Sequence, residues 1–270
     1  MIYSLYRPKA PLDTFVDSFW VTDSYVAQAP RERVLPSGTQ DLIVHLGESP
    51  VRIYADEHST EATDAPGVIV SGPRSSPLVI GTALGATVGV QFKPGGAYPF
   101  FGVPAHSLAE QTVALEALWG APARALRERM METSAPLERV QLLEEHLLRR
   151  LRRSSERGAA LRVALDAFEE PDLTSVAEVN RRTGLSPKRL LALFREEVGL
   201  SPKTFWRVRR FRAALRDLEH GTLRGAALAA EHGYFDQAHF LREFRSLSGS
   251  NPSEFLAARV TGTDHVSVYG

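Results

Sequence analysis

The sequence predicts an α+β multidomain chain: a β-rich N-terminal domain (1–119), a helical connector (120–157), and an all-α C-terminal domain (158–260) with two helix-turn-helix units joined by a long helix. Three observations carry this expectation. Short apolar runs between turn formers fill the first segment, apolar residues recur at helical spacing in the second, and a motif repeats within the third. Residues 261–270 show no pattern and are expected to form a loose tail.

In the first segment, Asp41 to Leu46 and Gly85 to Phe92 read as strands because Val, Ile and Phe are bounded there by Gly, Pro and Ser. From Ala121 to Arg153 the character changes. Ala125, Leu126, Arg129 and Met130, then Leu137, Val140, Leu143, Leu147 and Leu151, keep a helical period among Arg and Glu, so these are connecting helices. Arg152 to Gly158 is polar without periodicity and reads as a hinge.

Composition bounds the chemistry. A chain of 270 residues with 43% hydrophobic residues has enough apolar material for two cores, and no apolar run reaches the roughly 18 residues of a membrane span. A cytoplasmic location is expected, the N-terminus lacking a basic-then-apolar signal pattern. With 0 cysteines, disulfides, thiolate metal sites and cysteine nucleophiles are excluded. The formal charge is +0, yet its distribution is uneven. Between Arg181 and Arg216 stand Arg181, Arg182, Lys188, Arg189, Arg195, Lys203, Arg207, Arg209, Arg210, Arg212 and Arg216 against only Glu196 and Glu197.

The repeat is the most specific signal. Leu190, Phe194, Arg195, Gly199, Pro202 and Phe205 are matched fifty residues later by Phe240, Phe244, Arg245, Gly249, Pro252 and Phe255. A short helix pattern ending in glycine precedes each copy, Val176 to Gly184 and Leu223 to Gly233, so each unit is helix, tight turn, helix. Capping chemistry marks the boundaries: Ser175 with Glu178, Ser186 before Pro187, Ser201 before Pro202, Asp236, and Asn251 before Pro252 with Glu254. Pro202 to Leu218 carries Phe205, Val208, Phe211, Ala214, Leu215 and Leu218 on one stripe and reads as a strut between the units. A helix-turn-helix places its second helix in the major groove, and a strut can hold two such helices on successive grooves of one DNA face.

Residues 173–255, through Gly184 to Leu190, Leu193 to Gly199 and Gly233 to Phe240, resemble the AraC/XylS family of bacterial transcription regulators. The resemblance implies a seven-helix DNA-binding domain with recognition helices near Pro187 to Glu197 and Gln237 to Leu247, and control of transcription initiation through RNA polymerase at promoter DNA. Carried over residue by residue, base-reading positions fall at Lys188, Arg189, Leu191, Ala192 and Arg195, and at Gln237, Ala238, His239, Leu241 and Arg242. Leu191 and Ala192 lack hydrogen-bonding groups, which directs the first helix towards thymine methyls, DNA shape or phosphates. Arg181, Arg182, Lys203, Arg207 and Arg210 are expected to meet phosphates, with Arg210 solvent-facing or phosphate-bound. Asn180 stands where the family usually has a small alanine.

The N-terminal segment resembles the β-rich, cupin-like sensor domains of this family through Arg33 to Pro36, Asp41 to Ile43 and Val90 to Gly96. It reads either as a pocket for a small organic effector, with Trp20, Tyr25, Phe92, Tyr98 and Phe100 as aromatic surface, or as a domain that only dimerises or packs, and a homodimer is one open assembly. His45, His58 and His106 stand singly, so neither metal nor other cofactor is expected. Lys93 to Gly96 lacks the spacing of a phosphate loop and reads as a bend. No catalytic motif is visible. The alternatives to a regulator are an architectural or interaction protein, or an enzyme carrying a DNA-binding domain.

Overall fold

Alternating burial builds the N-terminal domain of the computed structural model, which describes residues 2–23, 29–82, 85–151, 158–170, 172–260 and 265–268. Its strands are β1 (Ile2–Tyr6), β2 (Val16–Asp23), β3 (Arg31–Val34), β4 (Asp41–His45), β5 (Arg52–Tyr54), β6 (Ala62–Asp64), β7 (Val68–Ser71), β8 (Leu78–Gly81), β9 (Thr87–Phe92) and β10 (Thr112–Ala114). One antiparallel sheet runs β1-β2-β9-β4-β7-β10; a second contains β3-β8-β5-β6. In the first sheet Val90 pairs with Phe19 on one side and Leu42 on the other, and all three face the core. The step from Val16 to Phe19 breaks the period of two, because a register shift between Val16 and Ser18 inserts a bulge that returns both to the same side. Gly89 pairs with Trp20, whose indole occupies the space a side chain there would need.

Helices α1 (Tyr98–Phe101), α2 (Leu115–Trp119), α3 (Ala121–Met131) and α4 (Pro136–Arg150) follow. Leu126, Met130, Val140, Leu143 and Leu147 share one core with Phe19, Leu42 and Val90, so the connecting helices wall the sheet rather than standing apart from it. Leu137, expected on the inner stripe, is instead exposed. Phe92 and Phe100 lie with ring centroids 5.4 Å apart, and Phe15 meets Phe100 at 5.8 Å. These two rings are closed core, which corrects the expectation that they offer surface to a ligand; Tyr25 lies outside the described residues, as do residues 152–157 of the expected hinge.

The C-terminal domain comprises α5 (Ala159–Glu169), α6 (Val176–Thr183), α7 (Pro187–Leu193) continued by a π-helical turn Phe194–Val198, α8 (Pro202–His220), α9 (Gly225–Glu231), α10 (Gln237–Ser248) and α11 (Pro252–Ala258). With the π turn counted in α7, these are the seven helices expected. The stripe on α8 is divided between two cores. Phe205 joins Phe168, Val179, Leu190 and Phe194, whereas Val208, Phe211, Ala214, Leu215 and Leu218 join Leu228, Phe240, Phe244 and Phe255. Glu243 of α10 reinforces the second packing by accepting from Arg207 Nε at 2.7 Å and Arg210 Nη2 at 3.2 Å.

The expectation of a loose tail is overturned for β11 (His265–Val268), which pairs antiparallel with β3 and makes the second sheet β11-β3-β8-β5-β6. Its Val266 is buried with Leu35 in the second C-terminal core, and His265 Nδ1 lies 2.6 Å from the fully buried Glu32 carboxylate. No local periodicity announces so short a strand; its partner β3 supplies the hydrogen bonds from more than 230 residues earlier in the chain. Two further contacts dock the domains at repeat-related positions. Gly199 and Gly249, at φ 90 and 77, end the two recognition helices, and a Cβ on either would come within 2.5 Å of Pro73 or 3.0 Å of Arg33.

Two outcomes follow from this packing. Glu243→Ala leaves two partly buried guanidinium groups without their shared carboxylate and is expected to cost about 1 to 3 kcal/mol in urea unfolding. His45 is buried, with Nε2 3.0 Å from the Ser49 carbonyl, and burial holds its pKa below the ordinary value. The unfolded chain therefore takes up the proton first, so this contribution to stability is complete above about pH 6.5 and declines as pH falls below it. Unfolding curves at about pH 7 and about pH 5.5 should show a smaller loss in His45→Gln than in the wild type.

Candidate nucleic-acid interface

Each unit is locked by rings and capped turns. In the first, Phe168, Phe194 and Phe205 form a triangle with centroid separations of 5.6, 5.6 and 5.7 Å. In the second, Phe244 meets Phe211, Phe240 and Phe255 at 5.4, 5.5 and 5.8 Å. The repeat-related pairs Phe194–Phe205 and Phe244–Phe255 thus have the same spacing, which sets each recognition helix against the helix that follows it.

The caps fall where the side chains place them. Ser186 accepts the Arg189 N–H at 3.3 Å, Ser201 the Thr204 N–H at 3.1 Å, and Asp236 the His239 N–H at 2.6 Å. Asn251 and Glu254 form a full capping box. Ser175 caps Glu178, but the Glu178 carboxylate turns to Arg182 instead of completing a box. Asn180 donates Nδ2 to the Leu185 carbonyl at 3.0 Å, so it closes the first turn with a hydrogen bond that alanine lacks.

This scaffold brings the expected base-reading residues to the surface. Lys188, Arg189, Leu191, Ala192 and Arg195 are all exposed, while Leu190 and Phe194 point inward. Gln237, Ala238, Leu241 and Arg242 are likewise exposed beside buried Phe240 and Phe244. Leu191 and Leu241 occupy equivalent positions of the repeat and are 40% and 38% exposed, so each unit presents a leucine to solvent. His239 differs: it is half-buried, its Nδ1 accepts the Phe235 N–H at 3.3 Å, and its ring meets Tyr234 at 5.5 Å.

The cations divide by their partners. Arg181 and Lys203 are exposed. Arg182 is ion-paired with Glu170 and Glu178, which raise its pKa further. Arg209 pairs with Glu169 of α5. Arg210 is only 17% exposed: it donates to the Gly233 carbonyl at 3.0 Å and lies over the Trp206 and Tyr234 rings, so the solvent-facing expectation is corrected. The reason is Glu243, whose charge-assisted bonds and the two aromatic faces outweigh the hydration of a guanidinium held this close. Burial and the Glu243 charge also push the Tyr234 phenol upward.

Sequence reasoning missed the groups that act across domains. Tyr98 donates its hydroxyl to Glu196 at 2.9 Å, and His106 Nδ1 lies 3.2 Å from the Arg195 carbonyl, so the N-terminal domain touches the π-helical end of the first recognition helix. Partners 89 and 98 residues apart leave no local trace. Lys93 to Gly96 forms the expected bend, with Gly96 N–H on the Lys93 carbonyl at 2.7 Å. Among the described residues no group of three or more His, Asp or Glu is gathered to hold a metal ion, and no helix is long and apolar enough to cross a membrane.

Residues 179–258 match a family model described as a helix-turn-helix domain, and residues 4–114 match one described as a domain of unknown function, DUF6597. The arabinose operon regulatory protein of Escherichia coli strain K12 is 29% identical over 138 residues, 48% of this chain and 47% of the relative. Its counterpart from Salmonella typhimurium strain LT2 is 31% identical over 126 residues, 44% and 45% of the two chains. The chain spans about half the length of the curated relatives it matches. ToxT from Vibrio cholerae strain SCE256, solved with unsaturated fatty acid bound, superposes with a TM-score of 0.50 at 10% identity over 94% of this chain and 98% of its own. That likeness shows the two-part fold: a β-rich N-terminal domain followed by a helical one. Residues 179–258 are therefore a helix-turn-helix domain similar to part of the arabinose operon regulatory proteins, carried behind an N-terminal segment that matches the DUF6597 model.

Proposed function

We propose that the chain is a sequence-specific transcription regulator of the AraC type that binds promoter DNA with both helix-turn-helix units. The observation that carries this reading is the pair of recognition helices, capped alike and packed alike, each presenting an exposed face from one shared strut. The 19 residues of α8 span about 28 Å, of the order of the roughly 34 Å that separates successive major grooves on one face of DNA. Lys188, Arg189, Leu191, Ala192 and Arg195 are assigned to the first groove, and Gln237, Ala238, Leu241 and Arg242 to the second. His239 is assigned to holding the turn. Arg181 and Lys203 are assigned to phosphates, and Arg182, Arg207 and Arg210 to keeping the domain rigid.

The role is regulatory rather than enzymatic, as it is for the arabinose regulators. RNA polymerase is the proposed protein partner, a homodimer the proposed assembly, and the cytoplasm the proposed compartment. The N-terminal domain is the proposed input: ToxT, which shares the fold, is solved with an unsaturated fatty acid bound, and in this chain the N-terminal domain touches the ends of both recognition helices. The class of ligand proposed for it is a small organic effector.

Selection of duplexes from a random library by the full chain should enrich a sequence, and fluorescence anisotropy on it should show affinity falling about tenfold or more between about 50 and 200 mM salt, as two phosphate contacts require. Affinity indifferent to salt would falsify the phosphate assignments. Arg242→Ala is expected to lose roughly 1 to 3 kcal/mol and to relax preference at one base pair, whereas Arg181→Ala should weaken all duplexes alike. An Arg242→Ala protein with unchanged base preferences would remove α10 as a reader.

A further inference from the structure

The turn that opens the second recognition helix carries a side chain outside the base-reading set. Phe235 is 92% exposed, more than any other large apolar residue described as exposed, the next being Leu5 at 62%. Its backbone is nevertheless pinned on both sides. The preceding Tyr234 is buried, with its ring 5.2 Å from Phe240, and the following Asp236 caps α10 through the His239 N–H. The N–H of Phe235 itself donates to His239 Nδ1 at 3.3 Å. A fixed backbone therefore holds the ring out in water, against the ordinary preference of a phenyl group for burial.

The internal repeat supplies a comparison. The equivalent residue of the first unit, fifty positions earlier, is Leu185, which is partly buried and packs against the core of that unit. The turn does not require an outward side chain; only the second unit has one. Phe235 is also continuous in sequence with the exposed residues Gln237, Ala238, Leu241 and Arg242, of which Ala238 and Leu241 lie one turn apart on α10. The start of α10 and the turn before it thus carry exposed apolar residues, Phe235, Ala238 and Leu241, together with the exposed Gln237 and Arg242.

The start of a recognition helix is the part that approaches base edges, and the apolar group a major groove displays is the C5-methyl of thymine. Resting on the DNA-binding reading above, we infer that Phe235 is a further specificity-determining residue, packing its ring against a thymine methyl beside the bases read by α10. DNA is favoured over a protein partner because Phe235 immediately precedes Asp236, the N-cap of α10, the helix that carries the exposed Gln237 and Arg242.

The test uses the full chain and the duplex enriched by the wild type from a random library, with each thymine replaced in turn by deoxyuridine, which lacks only the methyl. The wild type is expected to lose about fourfold in affinity at one or two positions bordering the second half-site, the worth of about one buried methyl group. Phe235→Ala is expected to bind the parent duplex more weakly and to ignore the same replacements, with Phe235→Leu between the two. Equal thermal unfolding of the three proteins shows that the fold is unchanged. If Phe235→Ala keeps wild-type affinity and the same sensitivity to deoxyuridine, the inference is overturned; a simultaneous loss of activity in transcription with purified RNA polymerase then assigns the ring to a protein contact. A wild type that enriches no sequence overturns the DNA-binding reading and this inference with it.

Discussion

One helix shared by two cores governs the C-terminal domain. The buried stripe of α8 gives Phe205 to the core around Phe194 and, from Val208 onward, gives every inward residue to the core around Phe244. Because a helix with both ends embedded in this way resists bending, neither recognition helix can rotate without disturbing a ring cluster. The separation and facing of the two units are properties of this one element. Glu243 strengthens the arrangement by tying α10 to α8 through two guanidinium groups.

The N-terminal domain holds this frame at its ends and leaves the outer faces of α7 and α10 exposed. It meets Gly199 and Gly249 where the recognition helices stop, receives β11 on the edge of its second sheet, and faces the strut at Gly38, where a Cβ would come to 3.4 Å from Val208 and 3.5 Å from Phe205. With all these contacts made, Lys188, Leu191, Gln237, Leu241 and Arg242 remain exposed. On α7 and α10 the contacts with the N-terminal domain therefore fall at the C-terminal ends of the helices, and the exposed faces are not covered by them.

The basic cluster illustrates why charge in a sequence is not charge on a surface. Arg182, Arg207, Arg209 and Arg210 contribute to the excess between Arg181 and Arg216, yet each is drawn into an ion pair with a glutamate of another helix or the preceding turn. Exposed pairs of this kind add little stability on their own, but both half-buried pairs on Glu243 are charge-assisted hydrogen bonds, and Arg210 adds stacking on Trp206 and Tyr234. The field left to attract phosphates is smaller than the residue count suggests, which puts more of the recognition on the helix faces themselves.

The sequence by itself determined what local chemistry controls. The helices of the two units, their caps at Ser186, Ser201, Asp236 and Asn251, and the inward stripe of α8 are set by hydrogen bonds and periodicities spanning a few residues, so they are legible without a fold. The strands around Asp41 and Thr87 are legible for the same reason. Tertiary structure alone decided the rest. Phe92 and Phe100 became core instead of ligand surface, Arg210 turned inward, the C-terminal segment paired with β3, and Tyr98 and His106 met the first recognition helix. Each of these depends on a partner at least 23 residues away, except Phe92 and Phe100, which stand eight apart but are buried by α3, α4 and the sheet together. Whether an aromatic or a guanidinium faces water is settled by what packs over it, and no period or motif in the chain encodes that.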